Sequence, residues 1–191
     1  MNSENIQIKK TKAEDFENIM QVEKLAFGYE KEARLVAKLL KDKTGEPLIS
    51  LLAYYKHEAV GHILFTRAYF ADQQEEQPLM HILAPLAVKP DFQRKGIGGM
   101  LISTGIELLK QMGSQLIFVL GHKEYYPKYG FIPKAEQLGF PAPYPIPEEY
   151  SEYWMVQPLS NKGLDIRKGK IRCCEELDKP QHWRDEETDK I

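Results

Sequence analysis

Gln93-Arg94-Lys95-Gly96-Ile97-Gly98-Gly99 is the stretch of this chain in which residue type and spacing come closest to chemistry. Glycine lacks a Cβ, so a backbone carrying Gly96 and Gly98 can turn tightly and bring its N–H groups against a bulky anion. If the run opens a helix, the unpaired N–H groups of the first turn and the helix dipole strengthen that site, and Arg94 and Lys95 bring positive charge to its entrance. A diphosphate is the ligand such a loop fits. Two other diphosphate loops fail by position. A P-loop ends Gly-Lys followed by Ser or Thr, whereas Met100 follows Gly99. A dinucleotide fingerprint needs a third glycine where Leu101 stands and an acidic residue closing the next strand, which instead ends Val119-Leu120-Gly121. From spacing alone, a glycine-rich helix start with no ligand stands as the plain alternative.

The elements around the run supply the context it needs. Residues 79–88 are apolar and read as a strand leading into it. Beyond it, Ile97, Leu101, Leu108 and Met112, widened by Ile102, Ile106 and Leu109, form one stripe of a core-facing helix over 96–112. Residues 116–120 are continuously apolar, the pattern of a strand covered by helices on both faces. Upstream, 6–9 alternate as a half-buried strand, a helix begins near Glu14-Asp15, and a second helical stretch covers 30–40. Residues 48–55 and 60–70 form a hairpin. A short helix is expected over 123–129 and a last clear strand over 153–159, with a proline-rich loop (Pro133, Pro141, Pro143, Pro145, Pro147) between them. After residue 160 the chain turns polar, with one added strand around 170–174 and a poorly ordered tail from Asp178. The division is therefore 1–160 for the domain and 161–191 for an extension.

Composition narrows the function classes. At 191 residues one domain buries roughly 70 % of its unfolded surface without disulfides or metals. The 26 basic and 28 acidic residues nearly cancel, which argues against nucleic acid as a partner. Cys173 and Cys174 are adjacent, a spacing that suits neither a long-range disulfide nor a zinc pair, and they read as reduced packing residues. No metal site is expected. No run of about 18 apolar residues occurs and the first 12 residues are polar, so no membrane association is expected and the cytoplasm is the expected compartment.

Gln93-x-x-Gly96-x-Gly98, in its strand-to-helix setting, resembles the acyl-CoA signature of the GNAT superfamily, Arg or Gln-x-x-Gly-x-Gly or Ala. Leu83-Ala84-Pro85-Leu86-Ala87-Val88-x-Pro90 before it and Tyr125-Tyr126-Pro127-Lys128-Tyr129-Gly130-Phe131 after it are similar to a bacterial subfamily of that superfamily. The resemblance covers roughly residues 6–159. It implies an α/β (α+β) fold with a mixed central sheet that splays open between two central strands, flanked by helices. It also implies an N-acyltransferase that takes an acetyl group from acetyl-CoA to an amine by direct transfer in a ternary complex. By the same analogy Leu86, Ala87 and Val88 line the pantetheine arm, the N–H of Val88 or a neighbour polarises the thioester carbonyl, and Gln93, Arg94, Lys95, Gly96, Ile97, Gly98 and Gly99 surround the pyrophosphate. Pro85 cannot donate to a ladder, so a bulge or edge is expected there.

An alkylamine with a pKa of about 10.4 must lose a proton before it attacks, and the departing thiolate benefits from a donor. Tyr126, four residues before Gly130-Phe131, stands where the family places that donor. His81 is the candidate base, since the strand Met80-His81-Ile82-Leu83 offers no carboxylate, and Glu30 and Glu32 are further candidates. The acceptor is a small-molecule amine or a protein amine, and a homodimer is left open. Tyr144 and Tyr150 flank a stiff proline segment that either walls the acceptor pocket or serves as a surface connector. The competing function is a CoA-binding sensor or interaction module without turnover.

Overall fold

The computed structural model describes residues 5–72 and 76–183. In chain order it runs β1 (Ile6–Lys10), α1 (Phe16–Phe27), α2 (Lys31–Leu39), β2 (Ile49–Tyr55), β3 (Glu58–Phe70), β4 (Met80–Val88), α3 (Ile97–Gln111), β5 (Leu116–Leu120), β6 (Ile132–Pro133), β7 (Trp154–Pro158) and β8 (Ile171–Arg172), with short 3-10 turns between them. The strands form one mixed sheet in the order β1-β2-β3-β4-β5-β7-β6, and β8 pairs with the end of β3. Among the described residues only β4 and β5 run parallel, because α3 is the crossover that joins them.

Helices cover both faces. On one, Ile19 and Val22 of α1 and Val36 and Leu39 of α2 pack on Leu52, Leu64, Ile82 and Ala87; on the other, Ile97, Leu101, Ile102 and Leu109 of α3 pack on Leu51, Ile63, Phe65 and Leu83. Neighbours in β5 alternate between these cores, Phe118 to the first and Val119 to the second, which is why that strand is apolar throughout. Gly105 sets how closely α3 approaches the sheet, since a Cβ there would overlap the Phe65 ring. Gly105→Val should therefore destabilise the protein by about 1–3 kcal/mol in denaturant melts, despite removing a helix glycine. A variant as stable as the parent would contradict this contact.

The extension after 160 packs on the domain. β8 lies inside the span expected for an added strand, Cys173 and Cys174 are buried free thiols, and the N–H groups of Glu175 and Glu176 donate to Thr44 Oγ1 and Asp42 Oδ2, each at 2.8 Å. Leu177 is buried, and the Trp183 indole donates to its carbonyl at 2.7 Å. Of the tail expected from Asp178, residues 184–191 lie outside the described residues. The proline-rich loop is drawn inward: Phe140 is buried, its carbonyl accepts from Trp154 Nε1 at 2.8 Å, and Tyr144 donates to the carbonyl of Asp178 at 2.8 Å. No helix among the described residues is long and apolar enough to cross a membrane.

Candidate active site

The parallel ladder between β4 and β5 holds only at Met80–Leu116, His81–Ile117 and Ile82–Phe118. Beyond Ile82 the strands part: Leu83, Leu86, Ala87 and Val88 pair only with β3, while Val119 and Leu120 pair only with β7. The parting coincides with a bulge, in which Leu83 faces Phe65, Leu86 faces Ile63, and Ala84-Pro85 share the step opposite Leu64. Pro85 thus sits at the interruption that its missing N–H requires. The bulge also shifts the alternation, since Ala84 and Ala87, three apart, both face the α1–α2 core, while Leu86 and Val88 face α3.

The glycine run closes the α3 end of this opening. Gly96 caps the helix with φ +82°, a left-handed conformation suited to glycine, and Arg94 also has positive φ, +58°. Met100 N–H finds the Gly96 carbonyl at 3.0 Å, so the helix ladder starts there, and Ile97, Gly98 and Gly99 have no intrahelical acceptor for their N–H groups. Gln93 Nε2 donates to the Val88 carbonyl at 3.0 Å, tying loop to strand end, and Lys95 Nζ turns back to the Asp91 carbonyl at 2.5 Å. Arg94 is exposed at the mouth. These amides and the open edge of β4 fit a diphosphate with an extended arm.

Three tyrosines join the α3 side of the core beside the helix start. A Cβ on Gly98 would overlap the Tyr125 hydroxyl, and one on Gly99 would lie 2.5 Å from the Tyr129 hydroxyl. These glycines therefore admit two phenols against the helix start, a requirement that the motif does not express. Tyr126, in the 3-10 turn over Tyr126–Tyr129, is 9 % exposed; its ring lies on Gly121 and edge-on to Tyr125 and Phe131, with centroids 5.3 and 5.5 Å away. Burial pushes the Tyr126 phenol up to about 12, so it is protonated at neutral pH.

His81 stands apart from this arrangement. It is fully buried, Nε2 lies 2.8 Å from the Pro47 carbonyl and Nδ1 lies 2.8 Å from Ser114 Oγ. Because a carbonyl can only accept, Nε2 carries the proton and Nδ1 takes the serine hydroxyl, which leaves no lone pair for an amine. Burial lowers its pKa to about 4. The unfolded chain, with histidine near 6.5, binds that proton more readily, so this contribution to stability is present above pH 6.5 and is lost as pH falls to about 4. The change amounts to about 3 kcal/mol. His81→Gln should flatten the acid limb of a stability–pH curve between those values; parallel curves would contradict the assignment.

Glu30 is exposed between Lys24 (2.7 Å) and Arg34 (2.8 Å), and hydrogen bonds from these two cations hold its carboxyl below the usual range. Sequence reasoning passed over a second buried histidine. His62 of β3 contacts Glu23 Oε1 of α1 through Nδ1 at 2.5 Å and Ser50 Oγ of β2 through Nε2 at 3.0 Å, and all three residues are buried. A carboxylate in the otherwise apolar stripe Phe16, Ile19, Met20, Glu23, Phe27 was the available signal.

The comparisons agree with this architecture. The acetyltransferase (GNAT) family model matches residues 14–131. The Escherichia coli (strain K12) protein named uncharacterized N-acetyltransferase YjhQ is 54 % identical over 165 residues, 86 % of this chain and 90 % of that one. Among solved structures, the GNAT family N-acetyltransferase YhbS from Escherichia coli in complex with CoA superposes with a TM-score of 0.80 at 22 % identity, covering 92 % of this chain and 93 % of that one. A GNAT family acetyltransferase from Brucella melitensis in complex with acetyl-CoA gives 0.70 at 24 % identity, covering 90 % and 97 %. With its splayed mixed sheet, its glycine-opened α3 and these matches, the chain belongs to the GNAT family of acetyltransferases.

Proposed function

We propose that the chain transfers the acetyl group of acetyl-CoA to the nitrogen of an amine directly, without acetylating itself. The observation that carries this reading is the parting of β4 from β5 beyond Ile82 and Phe118, placed against the open amides of α3. Acetyl-CoA supplies the activated acyl group as a thioester. On this reading residues 94–99 hold the pyrophosphate by their N–H groups, with Arg94 adding charge at the mouth and Lys95 and Gln93 bracing the loop. Leu86, Ala87 and Val88 line the pantetheine, and a free N–H near Val88 polarises the thioester carbonyl. The buried Tyr126 phenol protonates the departing thiolate. His81 anchors β4 to the chain at Pro47 and takes no part. Cys173 and Cys174, buried and pushed up by desolvation, supply no nucleophile.

Acetyl-CoA at about 100 times its dissociation constant should stabilise the fold by roughly 2.7 kcal/mol, a rise in Tm of about 5–11 °C for a chain of this size. NAD and ATP should do much less. Thermal scans with no shift at millimolar acetyl-CoA would remove the basis of the proposal.

A further inference from the structure

The side of α2 turned away from the sheet faces the C-terminal extension across a cavity of about 390 Å³. Ala33, Val36 and Leu39 bury one stripe of the helix in the core, so Lys31, Arg34, Leu35 and Lys38, at helical spacing, line the cavity from the other side. Glu176 and His182 close it from the extension. That wall is anchored: the Glu176 N–H donates to Asp42 at 2.8 Å, the Trp183 indole donates to the Leu177 carbonyl at 2.7 Å, and the Trp183 ring meets Trp154 edge-on at 5.7 Å.

Two polar atoms of the extension are left incomplete at this cavity. Lys179 takes Glu176 Oε2, but Glu176 Oε1 is buried with no hydrogen-bond partner; Lys38 Nζ at 3.4 Å and His182 Nε2 at 3.6 Å attract it without hydrogen-bond geometry. His182 Nε2 is likewise buried and unpartnered, and each of the two side chains keeps only 9 % of its surface exposed. Groups buried in this way are costly unless something completes them. Burial lowers the pKa of His182, and the charge of Lys31 adds to that effect against the opposing pull of Glu176, so the ring is neutral near pH 7. From α2, Glu30 holds Arg34 at 2.8 Å, whereas Lys31 meets no carboxylate within ion-pair distance among the described residues. Leu35 adds apolar surface between these charges. A dianion such as phosphate suits Lys31 but presses against Glu176 and Glu30. A carboxylate joined to a cation suits both ends.

We propose that the cavity between α2 and the extension is a second small-molecule site, separate from the acetyl-CoA opening, and that it takes a zwitterionic α-amino acid with an apolar side chain. Lys31 and Arg34 receive the carboxylate, with the neutral His182 ring able to donate its Nε2 proton to the same group. Glu176 Oε1 accepts from the ammonium. The side chain lies on Leu35. The bound amino acid bridges α2 to the extension, and this assignment does not depend on acetyl transfer.

The test is isothermal titration calorimetry of the full chain with leucine, leucinamide, N-acetylleucine and inorganic phosphate as probes. Leucine should bind saturably, while leucinamide, which lacks the carboxylate, and N-acetylleucine, which lacks the cation, should each bind about 10–100-fold more weakly. Lys31→Ala, at the exposed start of α2, should weaken leucine by a similar factor of about 10–100 and leave the acetyl-CoA thermal shift unchanged. Glu176→Gln should do the same to leucine, but Glu176 also holds Lys179, so Lys31→Ala is the variant that decides. No leucine binding at about 10 mM, equal binding of leucine and its two derivatives, or an unchanged leucine affinity in Lys31→Ala overturns the assignment. Phosphate binding that is lost in Lys31→Ala, with none of leucine, makes this a plain anion site and overturns it as well.

Discussion

Tyr126→Phe should lower turnover roughly 10²–10⁴-fold while acetyl-CoA affinity stays nearly unchanged, the pattern of a lost proton donor. The substitution keeps the ring that lies on Gly121 and Phe131 and removes only the hydroxyl. Burial that lifts the phenol to about 12 keeps it protonated across the working pH range, so its hydroxyl is available to hydrogen-bond the departing sulfur. A thiol of pKa about 8.5 leaves fairly well unaided, which places the effect toward the low end of that range. Tyr125→Phe and Tyr129→Phe are the controls. Their hydroxyls lie over Gly98 and Gly99, so these variants should alter acetyl-CoA affinity more than turnover. If Tyr129→Phe is the damaging change and Tyr126→Phe is silent, the donor must be reassigned.

Gly98→Val should abolish the acetyl-CoA thermal shift, a loss of the full 5–11 °C. Gly98 lies where the first turn of α3 meets both walls of the opening, with Tyr125 against it on one side and Leu86 Cδ2 3.6 Å from the position of a Cβ on the other. A branched side chain there must push the phenol away and fill the approach to the N–H groups of Ile97 and Gly99. The double variant Gly98→Val, Tyr125→Phe separates these causes. It should stay unresponsive; a restored shift would assign the loss to the displaced phenol and leave the pyrophosphate cradle unsupported.

Much of this molecule was legible in its residues because the signals were local. The apolar stripe of α3, the unbroken run of β5 and the glycines ahead of the helix each follow from one segment, and the structure differs from their expected limits by a residue or so. Pro85 was legible for the same reason, since a missing N–H speaks for itself. The role of His81 was not. Its partners, Ser114 and the Pro47 carbonyl, lie 33 and 34 residues away, and a strand histidine looks alike whether it faces solvent or a closed core. The Glu23–His62–Ser50 chain spans helix and sheet across 39 residues, so only the anomaly of a carboxylate on an apolar stripe hinted at it. The two-residue β6 carried no periodicity, and the tyrosine hydroxyls over Gly98 and Gly99 depend on a turn that folds back across the helix start.

The proposed passage of an acetyl group from sulfur to nitrogen in this opening has a direct chemical test. The most direct measurement incubates the protein with isotopically labelled acetyl-CoA and an alkylamine, then quantifies free CoA thiol and labelled N-acetyl product together by mass spectrometry. Equal amounts of the two, each abolished when the amine is withheld, are the predicted result. Binding of acetyl-CoA with neither product formed across an amine panel, or thiol release without an N-acetyl product, would contradict it.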